Sequence, residues 1–190
     1  VMGNRVIHKG SPVRMTKSVV RAMDTVQAFC ASEKGGKTSV ENFVVAGASK
    51  RGWTTWTTAA VDKRVIACVP IVIDLLNLTP SFIHHYNVYG FWAPAIDDYV
   101  EANIMEWIGS PEWEAMLAIN DPYSYRDRLT IPKLLLNGAG DQFFLNDSWQ
   151  FYWDELKGPK FVRYAPNAGH GMDRADAAGS IVAFYKSLLE

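Results

Sequence analysis

Short apolar runs alternate with longer amphipathic segments along the chain. The apolar runs "FVVAG", "RVIACVPIVID", "IPKLLLNGAGD" and "KFVRYAP" have the length and the residue types of buried strands. Helices are predicted from the amphipathic segments "MTKSVVRAMDTVQAFCA", "WTTWTTAAVD", "NDSWQFYWDEL" and "DAAGSIVAFYKSLL". Strands that alternate with helices predict an α/β fold, in which a mostly parallel sheet carries helices on both faces.

Two of these elements carry more detailed expectations. In the first helix, six apolar residues recur at roughly helical spacing: Val19, Val20, Met23, Val26, Ala28 and Phe29. In the second strand, Pro70 should mark the place where regular ladder pairing stops, because proline has no N–H to donate.

The pattern dissolves between the second and third strands. Residues 75–120 form an aromatic-rich insertion within a single domain that spans residues 1–190. Placed between those strands, the insertion would lie over the carboxyl ends of the sheet as a cap. Aromatic walls suit a small-molecule pocket, so Trp92, Trp107 and Trp113 are predicted to contact substrate. The alternative is that these rings form the core of the cap, which we expect for at least half of its aromatic residues.

Composition and charge narrow the class of protein. Of the 190 residues, 48% are hydrophobic, which suits one domain with a sizeable core, and the net charge is −1 without a basic stripe. The charge predicts no nucleic-acid partner, and the apolar runs are too short to span a membrane. The opening "VMGNRVIHKG" has no apolar segment typical of a signal peptide, so the compartment stays open. Cys30 and Cys68 do not make a disulfide framework.

Residues with catalytic chemistry follow the predicted strands. Ser49 comes after the first strand, Asp74 after the second, Asp141 after the third and His170 after the fourth. Ligands of such sheets bind outside the carboxyl ends of the strands, and the order Ser, Asp, His is that of α/β-hydrolases. Serine attacks well only when an imidazole takes its proton, and a carboxylate orients that imidazole and stabilises its cation.

The stretch "FVVAGASKRG" predicts a tight turn that holds Ser49 at its tip. It departs from the G-x-S-x-G pattern in one respect, because Arg51 stands where the second glycine is expected and Gly52 follows it. The alternative is an ordinary strand-to-helix loop that contains a serine. The ordered acid and base further along the chain favour a nucleophile.

Three aspartates compete for the role of the acid. Asp141 lies on the glycine-rich turn "NGAGD", which can present a carboxylate, although a turn or helix-capping role is the alternative. Asp74 is the rival acid, or a cap for the insertion. Asp147 is expected on the surface of the following helix.

The histidines are fewer and simpler to sort. His170 in "PNAGHGMD" has a glycine on each side in a strand-end loop, which makes it the predicted base. His84 and His85 lie in the cap, where substrate contact or packing is expected, and His8 precedes the first helix. Their spacing predicts no metal site.

Several blocks resemble one known family. "GASKRGWTTW", "PIVIDLLN", "NDPYSYRDRLTIPKLLLNGAGDQFF" and "NAGHGMD" resemble the PhoPQ-activated pathogenicity-related protein family, a branch of the α/β-hydrolases. The resemblance implies an α/β-hydrolase fold without a cofactor, with Ser49 as nucleophile, Asp141 as acid and His170 as base. The late second glycine is also similar to the elbow of glucuronoyl esterases, a hint toward carbohydrate-linked esters.

The chain departs from that family at its start. Family members have an N-terminal part that supplies the first strands and a second oxyanion-hole donor, whereas nothing strand-like precedes the first helix here. We therefore expect a reduced N-terminal half. The backbone N–H of Lys50 can supply one donor, and the second has no evident source. Because losing one donor typically costs about 10²–10³ in rate, activity is expected to be modest.

These observations favour a serine hydrolase that cleaves small-molecule carboxylic esters through an acyl-enzyme. The alternative is a catalytically silent α/β-hydrolase scaffold used for binding or assembly. A reduced N-terminal half would leave "FVVAG" as an uncharged edge strand, a template for pairing with another chain. Self-association as a two-fold dimer is therefore predicted.

Overall fold

The chain folds around a four-stranded parallel sheet. A computed structural model describes residues 12–173 and 175–190. Strands β1 (Phe43–Ala48), β2 (Val65–Ile71), β3 (Lys133–Gly138) and β4 (Lys160–Ala165) lie side by side in chain order. All neighbouring pairs are parallel, which confirms the predicted sheet and its four strands.

Within the described residues, six α-helices and four short 3₁₀ helices accompany the sheet. The α-helices are α1 (Pro12–Ala31), α2 (Lys50–Val61), α3 (Leu78–Tyr89), α4 (Asp97–Glu101), α5 (Pro111–Asn120) and α6 (Ala177–Ser187). The 3₁₀ helices are Pro94–Ile96, Met105–Trp107, Pro122–Arg128 and Ser148–Phe151. Helices α3, α4 and α5 belong to the predicted cap. None of the helices in residues 12–173 and 175–190 has the length and apolarity to cross a membrane.

The prediction of a helix over "NDSWQFYWDEL" is wrong. Only the 3₁₀ turn Ser148–Phe151 forms, and turns follow it. Tyr152 leaves helical geometry, with φ −148° and ψ −18°. Its ring is buried and its hydroxyl donates a hydrogen bond to Asp74, which lies far away in sequence. A tertiary contact therefore overrides the local helical pattern.

The first helix forms where predicted, and only part of its apolar set is buried. Thr16 and Met23 face inward, and a hydrogen bond of 2.6 Å joins Thr16 Oγ1 to Thr57 Oγ1 on α2. Val26 and Phe29, which belong to the same apolar set, are exposed. The contact between α1 and α2 follows residues that are spaced three or four positions apart and include Thr16 and Met23. Apolar residues beside this row, such as Val26 and Phe29, face outward.

The sheet has an apolar core on each face. One core contains Met23 of α1, Trp56 of α2, Phe82 of α3 and Trp113 of α5, which pack together with Cys68 of β2 and Leu135 of β3. On the other face, Phe184 of α6 packs against residues of the central strands: Ala67, Val69, Leu134 and Leu136.

Both cysteines are free, and they lie apart from each other in the fold. Cys30 is half-buried on α1, whereas Cys68 is fully buried on β2. Burial raises the pKa of the Cys68 thiol to about 12. The Cys68 thiol therefore acts as a small apolar side chain in the core.

Pro70 interrupts the ladder between β2 and β3 instead of ending it. The N–H of Cys68 donates to Pro132 O at 3.1 Å, and the N–H of Val72 donates to Leu136 O at 2.7 Å. Pro70 lies between these two donors and has no N–H of its own, so one rung is missing. Pairing with β3 resumes directly after it.

The first strand is an edge of the sheet. It pairs with β2 on one side, and no strand within residues 12–173 and 175–190 pairs with its other side. Ala46 and Ala48 are exposed and Val44 is only half-buried, so β1 is less covered than a buried strand should be.

The turn that leads into β4 depends on one glycine. Gly158 has φ +73°, and a Cβ there would lie 1.9 Å from the backbone O of Thr130. We expect Gly158→Ala to lower the free energy of unfolding by about 3 kcal/mol or more, because backbone must move as well as adopt a left-handed conformation. Gly109→Ala is the control, because Gly109 has φ +85° but open space around it; its cost should be about 1–2 kcal/mol. Equal losses in urea unfolding would contradict the argument.

Candidate active site

Ser49 occupies a strained turn between β1 and α2. Its φ is +53° and its ψ is −123°, a backbone conformation that non-glycine residues rarely adopt. The N–H of Ser49 donates to Ile71 O of β2 at 2.8 Å, and its carbonyl accepts the Trp53 N–H at 3.0 Å. The turn is therefore held by β2 on one side and by the first turn of α2 on the other.

Two glycines allow this turn to close. A Cβ on Gly47 would lie 2.6 Å from Arg51 O, and a Cβ on Gly52 would lie 2.7 Å from Ile73 Cγ2 and 3.0 Å from Gly47 O. Arg51 itself is exposed and needs no glycine. The displaced second glycine of the sequence therefore lies where α2 presses against the ends of β1 and β2.

Asp141 and His170 are in direct contact. His170 Nδ1 lies 2.9 Å from Asp141 Oδ2 and 3.1 Å from Oδ1. Asp141 Oδ1 also accepts the backbone N–H groups of Phe143 and Phe144 at 2.8 and 3.3 Å. The Asp141 carboxylate is almost fully buried, with 4% of its side chain exposed. Such a carboxylate can orient the imidazole and leaves Nε2 of His170 for another partner.

The loop that carries His170 folds back over the end of β3. Gly140 N–H donates to Ala168 O at 2.9 Å, and a Cβ on Gly138 would lie 2.5 Å from the carbonyl oxygens of both Ala168 and Gly169. This close approach turns the loop from the edge strand β4 back over the centre of the sheet, in the direction of β1.

Side chains from the segment that follows Asp141 also hold His170. The backbone N–H of His170 donates to Gln142 Oε1 at 3.1 Å. The ring of Phe143 lies 4.1 Å from the imidazole, measured between centroids, and Phe144 lies edge-on at 6.0 Å. The imidazole is thus held by one carboxylate and two aromatic rings, while the side-chain amide of Gln142 holds the backbone of His170.

The structure brings Asp141 and His170 together, but it does not place Ser49 in hydrogen-bond contact with either of them. Ser49 lies at the same end of the sheet as Asp141 and His170, because the carboxyl ends of parallel strands all lie at that end. Within the described residues, no hydrogen bond joins its Oγ to His170. Contacts of this kind are often long in unliganded hydrolases and tighten when substrate binds.

Lys50 is the first residue of α2, which begins directly after Ser49. The first N–H groups of a helix have no partner within the helix, and the helix dipole favours negative charge there. The Lys50 N–H is therefore available to an oxyanion formed next to Ser49. The expectation that nothing strand-like precedes the first helix concerns residues 1–11, which lie outside the described residues together with His8.

Asp74, the rival acid, does not contact His170. It is buried and accepts hydrogen bonds from the hydroxyls of Tyr152 and Tyr164. Burial raises the pKa of Asp74 to about 6, and the two tyrosine hydrogen bonds oppose that rise. Its carboxylate is already occupied by two donors.

The remaining titratable residues of the cap region make other contacts. His84 Nε2 lies 2.9 Å from Asp147 Oδ2. Asp147 is surface-accessible as predicted, with 51% of its side chain exposed, but it precedes a 3₁₀ turn and does not lie within a helix. His85 Nε2 accepts the Ala93 N–H at 3.2 Å, and burial lowers the pKa of His85. In the part of the chain that the structure describes, no three metal-ligating side chains come together.

The three tryptophans predicted to contact substrate lie in different environments. Trp113 is a core residue, with 1% of its surface exposed and its Nε1–H bonded to Thr79 Oγ1 at 2.8 Å, which corrects the expectation for this residue. Trp92 is half-buried and stacks on His85. Trp107 is 52% exposed. The sequence could not separate these cases, because all three tryptophans lie in the same aromatic-rich segment.

Two clefts of the chain lie away from these residues. One, of about 530 Å³, lies between α1 and α2 and is lined mainly by apolar side chains such as Val20, Val61 and Ile119. The other, of about 570 Å³, lies near the start of β2, beside Asp62 and Arg128. Neither cleft is lined by Ser49, Asp141 or His170. The candidate site is therefore identified by the chemical types and contacts of these residues, and not by the size of a cavity.

Comparison with known sequences places these features in a family. The sequence model of the PhoPQ-activated pathogenicity-related protein family matches residues 8–190. Autocrine proliferation repressor protein A of Dictyostelium discoideum is 45% identical over 182 residues, which are 92% of this chain and 36% of that protein. The chain therefore spans about a third of the length of this relative.

Solved structures show the same fold at low sequence identity. An acetyl xylan esterase from Paenibacillus sp. R4 superimposes with a TM-score of 0.62 at 18% identity, over 86% of this chain and 51% of that one. The acylaminoacyl peptidase of Pyrococcus horikoshii gives a TM-score of 0.55 at 10% identity, over 83% and 24%. These similarities confirm the predicted α/β-hydrolase fold.

Proposed function

The chain belongs to the PhoPQ-activated pathogenicity-related protein family, and on that premise we propose that it is a serine hydrolase of carboxylic esters. Ser49 is the proposed nucleophile, His170 the base and Asp141 the acid. The observation that carries the proposal is the contact between Asp141 and His170 at the edge of the sheet where the strained turn presents Ser49.

In the first half of the reaction, Ser49 Oγ attacks the carbonyl carbon of the ester and its proton passes to Nε2 of His170. Asp141 holds Nδ1 and stabilises the imidazolium. The negative charge that develops on the carbonyl oxygen is stabilised by the Lys50 N–H and by the N-terminal end of α2. When the intermediate collapses, the carbon–oxygen bond to the alcohol breaks and His170 returns the proton to the departing oxygen.

In the second half, a water molecule takes the place of the alcohol. His170 accepts a proton from the water while the water oxygen attacks the acyl-Ser49 carbonyl. Collapse of this second intermediate releases the carboxylic acid and returns the proton to Ser49. Only the neutral imidazole can begin either half, so the reaction needs His170 deprotonated.

The proposal of an ester substrate is supported by the name of a protein with the same fold. The Paenibacillus neighbour is named as an acetyl xylan esterase, which supports an oxygen ester as the substrate class. Trp92 and Trp107 remain proposed substrate contacts, because each has exposed surface on the cap segment. No cofactor takes part in the proposed reaction.

A catalytically silent scaffold is the second candidate. The name of the Dictyostelium relative, a proliferation repressor, describes regulation and not hydrolysis. Within the described residues no hydrogen bond joins Ser49 Oγ to His170, which also favours a catalytically silent scaffold. In that case the fold would serve binding or assembly, and Ser49 would not react.

We further propose that β1 pairs with β1 of a second copy in a two-fold dimer. Both outer strands have an open edge within the described residues, but β4 carries Lys160 and Arg163 whereas β1 has no charge. Charged side chains prevent edge-to-edge pairing, so β1 is the less protected edge.

The reaction is tested by Ser49→Ala. This variant should lose hydrolysis of short-chain p-nitrophenyl esters and labelling by a fluorophosphonate probe, while its unfolding midpoint stays near that of the wild type. Ser18→Ala, an exposed serine on α1, is the matched control and should keep both activities. A wild-type chain that neither turns over ester nor takes the label would leave the silent scaffold.

The identity of the acid is tested by Asp141→Asn. We expect kcat to fall by about 10⁴-fold, the loss recorded for the equivalent change in a serine protease, because the imidazole then takes the wrong tautomer. Asp74→Asn should cost far less, and Asp127→Asn on the surface should cost nothing measurable. A larger loss in Asp74→Asn than in Asp141→Asn would assign the acid to β2.

The dimer is tested by light scattering at micromolar concentration. The wild-type chain should give the mass of two copies, and Ala46→Lys should give one copy because it places a charge on the open edge of β1. Val162→Lys, on β4, should leave the dimer intact. A wild-type chain that is monomeric would refute the proposal.

A further inference from the structure

Asp74 is a buried carboxylate that the proposed mechanism does not use. It lies just beyond β2, and only 2% of its surface is exposed. Its Oδ1 accepts the Tyr152 hydroxyl and its Oδ2 accepts the Tyr164 hydroxyl. Both carboxylate oxygens are thus bound by side chains from other parts of the chain.

The two tyrosines come from the segments that carry the proposed acid and base. Tyr164 lies in the last part of β4, directly before the loop with His170. Tyr152 follows the 3₁₀ turn at the end of the segment that begins with Asp141. One carboxylate therefore ties β2 to both catalytic segments.

An ionised carboxylate in this position is costly to keep. Burial raises the pKa of Asp74 to about 6, and the negative charges of Asp147 and Asp141 add to the rise. Only the hydrogen bonds from Tyr152 and Tyr164 act in the opposite direction. Burying a charge costs free energy that hydrogen bonds must offset, so a gain in stability does not by itself explain a carboxylate here.

We propose that Asp74 is a positioning residue for the hydrolysis, which acts through Tyr152 and Tyr164 to hold Asp141 and His170 in place above the sheet. This inference rests on the proposed function for its effect on rate. Its effect on the two loops does not depend on whether the chain hydrolyses esters.

The protonation state of Asp74 matters for this role. The ionised carboxylate accepts both hydroxyls, whereas the neutral carboxyl must donate one hydrogen bond and loses an acceptor. The charged and titratable groups that face it are Tyr152, Tyr164, Asp141 and Asp147, and Asp147 is itself paired with His84. As pH falls below about 6, Asp74 takes up a proton and the contact with the tyrosines weakens.

The kinetic test uses Asp74→Asn, Tyr164→Phe and the double variant. Each single variant should lower kcat by about 2- to 10-fold, the range expected for one lost hydrogen bond, with KM within about twofold. The double variant should be no slower than the slower single variant, because both changes remove the same contact. The matched controls are Asp127→Asn and Tyr185→Phe, two exposed residues that should leave kcat unchanged.

The pH dependence separates positioning from a purely structural role. In the wild type, the acid limb of log kcat/KM should contain an extra fall of about 2- to 10-fold as the pH drops through about 6, where Asp74 takes up a proton. This extra fall should be absent from Asp74→Asn. An unchanged kcat and an unchanged limb, with only a lower unfolding midpoint, would overturn the proposal.

Hydrogen exchange tests the same inference without activity. Amides of residues 139–147 and 166–172 should exchange faster in Asp74→Asn and Tyr164→Phe than in the wild type, while those of residues 18–27 on α1 should not change. If the wild type hydrolyses no ester, the proposed function fails, and faster exchange still supports the positioning role. Exchange that is unchanged in both loops refutes it.

Discussion

The parallel pairing of four strands is the constraint on which the candidate site depends. Parallel strands bring all their carboxyl ends to one edge, so the residues that follow each strand meet there although they are far apart in sequence. Ser49, Asp74, Asp141 and His170 each follow a different strand. An antiparallel arrangement would send alternate members of this set to opposite edges.

Within that frame, close backbone approaches give the site its shape. Gly138 lets the loop after β4 lie against the end of β3, which carries His170 toward the centre of the sheet. Gly47 and Gly52 do the same for the turn at Ser49, whose positive φ is a strained conformation for a serine. Strain of this kind persists only where surrounding contacts impose it, and here β2 and α2 supply them.

Polar contacts also link the segments that carry the proposed acid and base to other parts of the fold. Two backbone N–H groups bind Asp141, and two tyrosine hydroxyls bind Asp74. The hydrogen bond between His84 and Asp147 adds a link between α3 and the segment that follows Asp141. The proposed hydrolase therefore relies on side chains that reach across strands. The proposed dimer relies on the edge of β1 with which no described strand pairs.

The sequence by itself determined the strand positions, the α/β class and the contact partners Asp141 and His170, because strand periodicity and the order of residues after strands are local signals. It did not determine that "NDSWQFYWDEL" is mostly turns, that Val26 and Phe29 face outward, or that Trp113 is core. It also left Asp74 and Asp141 as rivals. Only the tertiary structure decided these points, because each depends on a long-range partner: Asp74 for Tyr152, α2 for the stripe of α1, and Thr79 for Trp113. Local pattern cannot report the energy of a contact between residues that are distant along the chain.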